Sequence, residues 1–283
     1  MSFSEWRLII SEALPGAVNM AFDEVLFDAV SRGESPPVLR FYQWEKPTVS
    51  IGYGQDVHAS LNLEFCRQRG LPIVRRITGG RAVIHDSELT YAVISPEKNA
   101  LFPGNIQGNY AIVSGCLKEA IEEFGIAVEM APGRRGKASS GMRDFRYNAC
   151  FNSPSIYELV VGGRKITGSA QMRRQGFFLQ HGSIPVEMDL RLAVQALTPG
   201  HIKSFKNGEE LLSRKVGWLN RFSSQPVYIP MLREKIITAF CRRLGKPFFL
   251  DDFSSLELER AEVMRESKYD HPTWTLNRKI KTA

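Results

Sequence analysis

Residues 75–86 read Arg-Arg-Ile-Thr-Gly-Gly-Arg-Ala-Val-Ile-His-Asp, and this stretch is the most informative part of the chain about its fold. Its Gly79-Gly80 pair predicts a tight turn between two short β-type runs, Pro72–Arg76 and Ala82–Ile84. Because glycine has no Cβ, backbone N–H groups in such a turn can approach a ligand closely. The three arginines beside the turn add forked donors suited to phosphate or carboxylate. From these residues alone, a ligand-binding loop and a plain turn with solvated arginines are about equally supported.

Patterns along the rest of the chain predict an α+β protein with a mixed or antiparallel sheet flanked by helices. Apolar residues at helical spacing predict helices at about Asn19–Val30 (with Asn19 as the N-cap), Asn62–Arg69, Asn109–Phe124, Met231–Leu244 and Leu256–Ser267. Short β-type runs predict further strands at Ser4–Ile10, Val38–Tyr42, Thr48–Tyr53, Leu89–Ser95, Ser155–Val161, Arg164–Ala170 and Phe177–Val186. We expect residues 1–283 to form a single domain in which residues 230–283 are mainly helical.

Composition is typical of a water-soluble globular protein, with 43% hydrophobic and 24% charged residues. No apolar run approaches the roughly 18 residues of a membrane span, and the first residues do not resemble a signal peptide. A cytoplasmic location without a membrane partner is therefore expected. The formal net charge of +7 favours an acidic partner, which on charge alone could be nucleic acid, an anionic membrane or an acidic protein.

One of the four cysteines stands out by its position. Cys66, Cys116 and Cys241 lie in predicted helices beside apolar residues, where a thiol usually behaves as a small hydrophobe. Cys150 instead follows Pro132–Asn148, a Gly-, Arg-, Lys- and Ser-rich stretch that predicts a long loop. Nearby positive charge would lower the pKa of an accessible thiol there, although a core thiol remains an alternative. The cysteine and histidine spacings match no metal site, so we expect no metal.

Lys165 lies in an otherwise apolar predicted hairpin. If Gly162-Gly163 forms a two-residue turn, Lys165 pairs with Val160 and has Glu158 as its diagonal neighbour. Alternation then places Lys165, Thr167 and Ser169 on one face. Such a lysine either extends to solvent or serves a site. The small residues Gly168, Ser169 and Ala170 leave room above the sheet and favour a site. Of the histidines, His85 and His181 follow or lie in β-type runs, where a structural role is the commoner one.

These residues resemble the lipoate–protein ligase and biotin ligase superfamily. Residues 75–86 are similar to its R-R-x-T-G-G-x-x-V-x-H-D signature, and Gly163–Ala170 is similar to its G-x-K-x-x-G-S-A segment. Further similarity covers nearly the whole chain, at Trp6, Asn19–Glu24, Arg40–Tyr42, His181–Ile184, Lys268-Tyr269 and Trp274. The fold that this resemblance implies is a mixed sheet flanked by helices, in agreement with the local patterns.

Within the superfamily, the chain is most similar to the octanoyltransferases that share the ligase fold. Typical lipoate ligases have a third glycine where this chain has Arg81, and Cys150 lies in a block similar to that of the transferases. The resemblance implies that the protein moves octanoyl from acyl carrier protein to Cys150 and then to a lysine of a lipoyl-domain protein, such as the glycine-cleavage H protein. We expect a monomer, although the sequence itself carries no signal for oligomeric state. Lys165 would be the second catalytic residue, and no cofactor would be needed. The implied substrate-binding residues are Arg76, Thr78, Gly79, Gly80, Arg81, His85, Gly168, Ser169, Ala170 and His181.

Three alternatives remain at this stage. An ATP-dependent lipoate–protein ligase would use Lys165 to contact an acyl-adenylate, and Cys150 would be incidental. An amidotransferase would move the acyl group between lipoyl domains through the same cysteine. A nucleic-acid-binding protein would use the arginine pairs, but the sequence contains no recognised nucleic-acid motif, so we expect no nucleic-acid partner.

Overall fold

The computed structural model describes residues 5–131, 157–202 and 207–278. Within these ranges, the larger sheet has six strands: β1 (Arg7–Leu14), β2 (Val38–Trp44), β6 (Glu88–Pro96), β10 (Gly168–Arg174), β11 (Phe177–Pro185) and β12 (Phe249–Leu250). Their spatial order is β10-β11-β6-β2-β1-β12. Strand β1 runs parallel to β2 and β12, whereas the other neighbours are antiparallel. The predicted mixed sheet is confirmed.

Two smaller sheets lie beside the larger one. The first is mixed and consists of β3 (Thr48–Ile51), β4 (Ile73–Arg75) and β5 (Val83–His85). The second is antiparallel and consists of β7 (Glu129–Met130), β8 (Leu159–Val161) and β9 (Arg164–Lys165). Residues 76–82 connect β4 to β5, so the predicted turn at Gly79-Gly80 joins two strands as expected.

Helices cover both faces of the six-stranded sheet and one small sheet. They are α1 (Gly16–Ser31), α2 (Leu63–Gln68), α3 (Ile106–Glu122), α4 (Leu190–Leu197), α5 (Gly208–Ser213), α6 (Ile229–Leu244), α7 (Ser255–Met264) and α8 (Pro272–Asn277). Alternation along β6 divides the core, because Tyr91 and Val93 pack towards α3 and α6 whereas Ala92 and Ile94 pack towards α1. A third cluster lies between β3 and helices α2 and α4. None of these described helices is long and apolar enough to cross a bilayer.

Two predicted elements were wrong in detail. Helix α1 begins at Gly16, directly after Pro15, and Asn19 is therefore inside the helix instead of at its N-cap. The Asn19 amide donates to the carbonyls of Leu14 and Gln43. The predicted strand Arg164–Ala170 is two strands in different sheets, because β9 ends at Lys165 and β10 begins at Gly168. The predicted starts at Ser4 and Ser155, the loop Pro132–Asn148 and Cys150 lie outside the described residues.

Candidate active site

A cavity of about 260 Å³ lies where the β4–β5 loop meets strands β10 and β11 and the β8–β9 hairpin. Its described lining combines small residues, aromatic rings and a few charged groups. These residues are Met20, Tyr42, Trp44, Arg76, Gly80, Arg81, Val83, His85, Thr90, Glu158, Lys165, Gly168, Ser169, Ala170, His181, Gly182 and Ser183. A concave pocket with an apolar wall and a few polar groups is the usual form of a small-molecule site.

The β8–β9 hairpin places Lys165 in this cavity. Gly162 and Gly163 both have positive φ (53° and 74°), as a two-residue hairpin turn requires, and the register pairs Val160 with Lys165. Lys165 is 5% exposed and forms an ion pair with Glu158. The prediction of the register and of the diagonal glutamate is confirmed, and the alternative of a lysine extended to solvent is wrong. The predicted common face holds for Lys165 and Ser169, but Thr167 is buried outside the lining.

The β4–β5 loop is held in shape by its own arginines. Both arginines before the turn are buried, so the alternative of solvated arginines is wrong for them. Arg76 donates to the hydroxyl of Ser50 at 2.6 Å and to the carbonyls of Gly79 and Arg81 at 3.1 and 3.0 Å. Arg75 points the other way and donates to the carbonyls of Trp274 and Thr275 in α8. The indole of Trp274 donates in return to the Arg75 carbonyl at 2.9 Å.

Two glycines allow the loop to pack closely. Gly80 has φ +95°, a conformation that side chains with a Cβ rarely adopt. A Cβ on Gly52 would lie 2.0 Å from the Gly80 carbonyl oxygen, so no side chain fits there. Gly79 has open space around it. The close backbone approach therefore involves Gly52 and Gly80 of the protein itself, a pairing that the local sequence does not indicate.

His181 links the loop to helix α1. Its Nδ1 donates to the Asp23 carboxylate at 2.9 Å, and its Nε2 lies 2.7 Å from the Thr78 hydroxyl. Burial lowers the pKa of His181, although hydrogen bonding to Asp23 opposes the shift. The ring is therefore neutral at pH 7, and Nε2 accepts a hydrogen bond from the Thr78 hydroxyl.

Asp23 stays ionised inside the protein. Burial alone raises the pKa of its carboxyl, but the hydrogen bond from His181 and the charge of Arg40 outweigh burial, and the net pKa is lowered. Arg40 Nη1 lies 2.7 Å from Asp23 Oδ1, and the Tyr42 hydroxyl donates to Oδ2 at 3.0 Å. Asp23 and its three partners Arg40, Tyr42 and His181 are each at most 4% exposed. This fixed charge orients the histidine that holds the loop.

His85 forms a second series of hydrogen bonds, which reaches the loop through Ser50 and Arg76. Its Nδ1 lies 2.7 Å from Glu88 Oε1, and its Nε2 lies 2.6 Å from Ser50 Oγ. Its ring stacks on the Trp44 ring, with the two ring centroids 4.0 Å apart. The order carboxylate, imidazole and hydroxyl, formed by Glu88, His85 and Ser50, resembles a serine-hydrolase triad. However, Ser50 is fully buried, is absent from the described cavity lining, and accepts a hydrogen bond from Arg76. These hydrogen bonds therefore position Arg76, and Ser50 does not act as a nucleophile.

Comparison with known proteins identifies the family. Residues 15–241 match the family model described as the lipoyl protein ligase A/B catalytic domain. The chain belongs to this family. An octanoyltransferase LipM of Brevibacillus brevis is 38% identical over 97% of this chain and 99% of its own length. One from Geobacillus kaustophilus is 37% identical over 98% and 100% of the two chains. The predicted family and the predicted enzyme class, an acyltransferase of the octanoyltransferase type, are confirmed.

Solved structures confirm the predicted fold of this family member. A chain in the structure of a bipartite lipoate protein ligase and its E2 lipoyl domain from Thermoplasma acidophilum superposes with a TM-score of 0.79. The match covers 99% of both chains at 22% sequence identity. At that identity the likeness concerns the fold. The mixed sheet flanked by helices is therefore the family architecture that the sequence indicated.

Most residues that the sequence singled out line the cavity of this lipoyl protein ligase A/B member. They are Arg76, Gly80, Arg81, His85, Lys165, Gly168, Ser169, Ala170 and His181. Thr78 and Gly79 are absent from the described lining, and Thr78 instead bonds to His181. Cys150 lies outside the described residues. Sequence reasoning did not assign site roles to Glu158, Trp44 or Thr90, which also line the cavity. The hairpin register already placed Glu158 beside Lys165 and could have indicated it.

The described cysteines lie away from the cavity lining. Burial raises the pKa of Cys66 to about 11 and that of Cys116 to about 12, so neither thiol is readily ionised. Cys241 is partly buried on α6. Among the described residues, no group of three or more His, Cys, Asp and Glu could hold a metal ion.

Proposed function

We propose that this chain transfers octanoyl groups in lipoate assembly, from acyl carrier protein to Cys150 as a thioester and then to a lysine of a lipoyl-domain protein. The glycine-cleavage H protein is the acceptor we expect. The observation that supports the proposal most is the buried Lys165 ammonium in a cavity walled by small residues, in a chain related over its full length to octanoyltransferases.

The cavity wall suits a linear acyl chain. Gly80, Gly168 and Ala170 leave space without polar side chains, and Met20 and Val83 add apolar surface. Each methylene that leaves water for such a surface contributes about 0.8 kcal/mol, so an eight-carbon chain gains substantial affinity from burial alone. Lys165 and Glu158 form an ion pair in the same lining, and we place the reacting acyl carbonyl beside them.

Lys165 supplies a positive charge where negative charge develops. Attack on a thioester carbonyl creates an oxyanion, and a fixed ammonium in a site that excludes water stabilises it. The ion pair with Glu158 holds the ammonium in place before substrate binds. We therefore assign Lys165 to the stabilisation of the acyl carbonyl oxygen in both transfer steps.

The nucleophile is assigned to Cys150 on the sequence resemblance and on the properties of the other cysteines. The described thiols lie away from the cavity lining, and burial raises the pKa of two of them. A cysteine nucleophile divides the transfer into two steps that each have a good leaving group. Since the donor thioester is already activated, we propose that no ATP or other cofactor is required. The net charge of +7 suits an acidic carrier protein as donor.

Intact-protein mass spectrometry tests the proposal. The chain is mixed with octanoyl–acyl carrier protein without ATP, beside a Cys150→Ser variant and a Cys241→Ser control. We expect an octanoyl mass increment on the wild type and on the control, and no increment on Cys150→Ser. Absence of any increment, together with acceptor modification only when ATP and lipoate are present, would establish the ATP-dependent ligase instead. If an octanoylated lipoyl domain produces the same mass increment when it replaces octanoyl–acyl carrier protein as the donor, the enzyme is an amidotransferase.

A further inference from the structure

The described cavity lining is rich in cations and contains one carboxylate. Arg76, Arg81 and Lys165 contribute positive charge, whereas Glu158 is the single acidic residue among the described lining residues. Any cationic substrate group that enters this cavity therefore meets repulsion unless it reaches Glu158.

Glu158 uses one of its two carboxylate oxygens. Oε1 accepts a hydrogen bond from Lys165 Nζ, and no described residue donates to Oε2. The side chain is 7% exposed, so water reaches it poorly. A buried carboxylate oxygen without a donor is costly, so Oε2 favours a ligand that donates a hydrogen bond to it.

The position of Glu158 is fixed by the backbone around it. Its carbonyl accepts a hydrogen bond from the Ala131 N–H at 2.7 Å, and it immediately precedes strand β8. Lys165 on the adjacent strand is fixed by backbone bonds to Lys215 and Gly217 at 2.9 Å. The unused oxygen thus belongs to a side chain that lines the cavity and pairs with the ammonium that we assign to the acyl carbonyl.

The second transfer step has a substrate whose charge and need to lose a proton both match the Glu158 carboxylate. An acceptor lysine reaches the site as an ammonium, because the pKa of a free lysine is about 10.4. An ammonium has no lone pair and cannot attack a thioester. It must be bound against the local positive charge and must lose a proton before the C–N bond forms.

We propose that Glu158 receives the ε-ammonium of the acceptor lysine on Oε2 and acts as the general base that deprotonates it; this inference rests on the proposed acyl transfer. The carboxylate takes one proton and leaves a neutral amine. The amine lone pair attacks the thioester carbonyl carbon, the C–N bond forms and the C–S bond breaks. The nitrogen gives its second proton to the departing thiolate, and Glu158 releases its proton to solvent. The products are an amide, a free thiol and one proton.

The test separates the two half-reactions. Wild type and Glu158→Gln are first acylated by octanoyl–acyl carrier protein, and the amount of octanoyl-enzyme is measured by intact-protein mass spectrometry. Each octanoyl-enzyme is then mixed with a lipoyl-domain acceptor, and loss of the thioester is followed in a single turnover. Glutamine keeps the size of the side chain and a carbonyl oxygen for Lys165 but is not a base. We expect discharge to the acceptor lysine to slow about 100-fold, within the usual range for a general base, and charging to change far less.

Hydroxylamine is the matched nucleophile, since it is mostly unprotonated at neutral pH. We expect it to discharge the octanoyl forms of wild type and Glu158→Gln at similar rates. We also expect the lysine-transfer defect of Glu158→Gln to shrink as pH approaches about 10.4, where the acceptor amine loses its proton in solution. Glu158→Asp, which keeps a carboxylate, should recover part of the rate.

Each contrary outcome has a distinct meaning. Equal slowing of lysine and hydroxylamine discharge would overturn the general base and leave Glu158 as a support for Lys165. Discharge of Glu158→Gln to the acceptor at the wild-type rate would overturn any role in this step. Failure of the wild type to form an octanoyl-enzyme would refute the proposed function itself. If Glu158→Gln does not fold, the same comparison in Glu158→Asp decides, because a displaced base still slows lysine more than hydroxylamine.

Discussion

Replacing Arg40 with methionine removes a guanidinium that is fully buried beneath the site. Arg40 donates to Asp23 Oδ1 and to Asn19 Oδ1, each at 2.7 Å, and lies 4.1 Å from the Tyr42 ring centroid. Methionine fills much of the same volume and carries no charge. The Asp23 carboxylate then stays buried with only Tyr42 and His181 as described partners.

The expected loss of stability follows from this uncompensated charge. Removing one partner of a buried ion pair costs about 3–5 kcal/mol. For a chain of 283 residues, with an unfolding entropy of about 2.1 cal/mol/K per residue, that cost lowers Tm by about 5–8 °C. Arg242→Met, which removes an exposed partner of Glu119, is the control and should leave Tm essentially unchanged.

A double-mutant cycle measured by urea unfolding tests the cause. In an Asp23→Asn background no buried carboxylate is left unpaired, so Arg40→Met should cost at least about 1 kcal/mol less there than in the wild type. Octanoyl-enzyme formation should fall with stability in the single variant, because Asp23 orients the histidine that holds the loop at Thr78. Additive costs in the two backgrounds would refute the view that the Asp23 charge is what Arg40 compensates.

Two further predictions concern the loop and its pH dependence. Gly52→Ala should destabilise the protein by about 1–3 kcal/mol or more and reduce acyl capture, because the new Cβ meets the Gly80 carbonyl, whereas Gly54→Ala, with open space around it, should be tolerated; equal unfolding midpoints in urea would contradict this. The free energy of unfolding should also fall as pH drops below about 6.5, because His181 has a lowered pKa in the folded protein and binds its proton more readily in the unfolded chain. It should fall further below about pH 3.9, because the lowered pKa of Asp23 has the same effect there. Urea titrations from about pH 7.5 to about pH 2.5 measure both losses, and the first should disappear in His181→Gln.

Local sequence predicted what local geometry determines. The Gly162-Gly163 turn needs only two residues with positive φ, so the β8–β9 register and the meeting of Lys165 with Glu158 were correctly predicted. Residues that face the cavity from the glycine loop and from β10 were indicated by family similarity to short motifs. Helix α6 was predicted to within two residues, because its periodicity and Gly245 define it.

Contacts between distant segments could not be predicted in the same way. Asn19 has the chemistry of an N-cap, but its amide satisfies carbonyls that include one on β2, so helix α1 starts earlier. The break between Lys165 and Gly168 arises because Lys165 pairs with Val216, about fifty residues later. The chains of hydrogen bonds through His85 and His181 join residues 35 to 158 positions apart, and no periodicity records such pairs.

The bond between Arg75 and helix α8 has a consequence for synthesis on the ribosome. The carbonyl of Thr275 that accepts from Arg75 is made 200 residues after the arginine itself. At about 5–20 residues per second, roughly 10 to 40 s pass between the two. Throughout that interval a nascent chain carries the glycine loop without its bonds to α8.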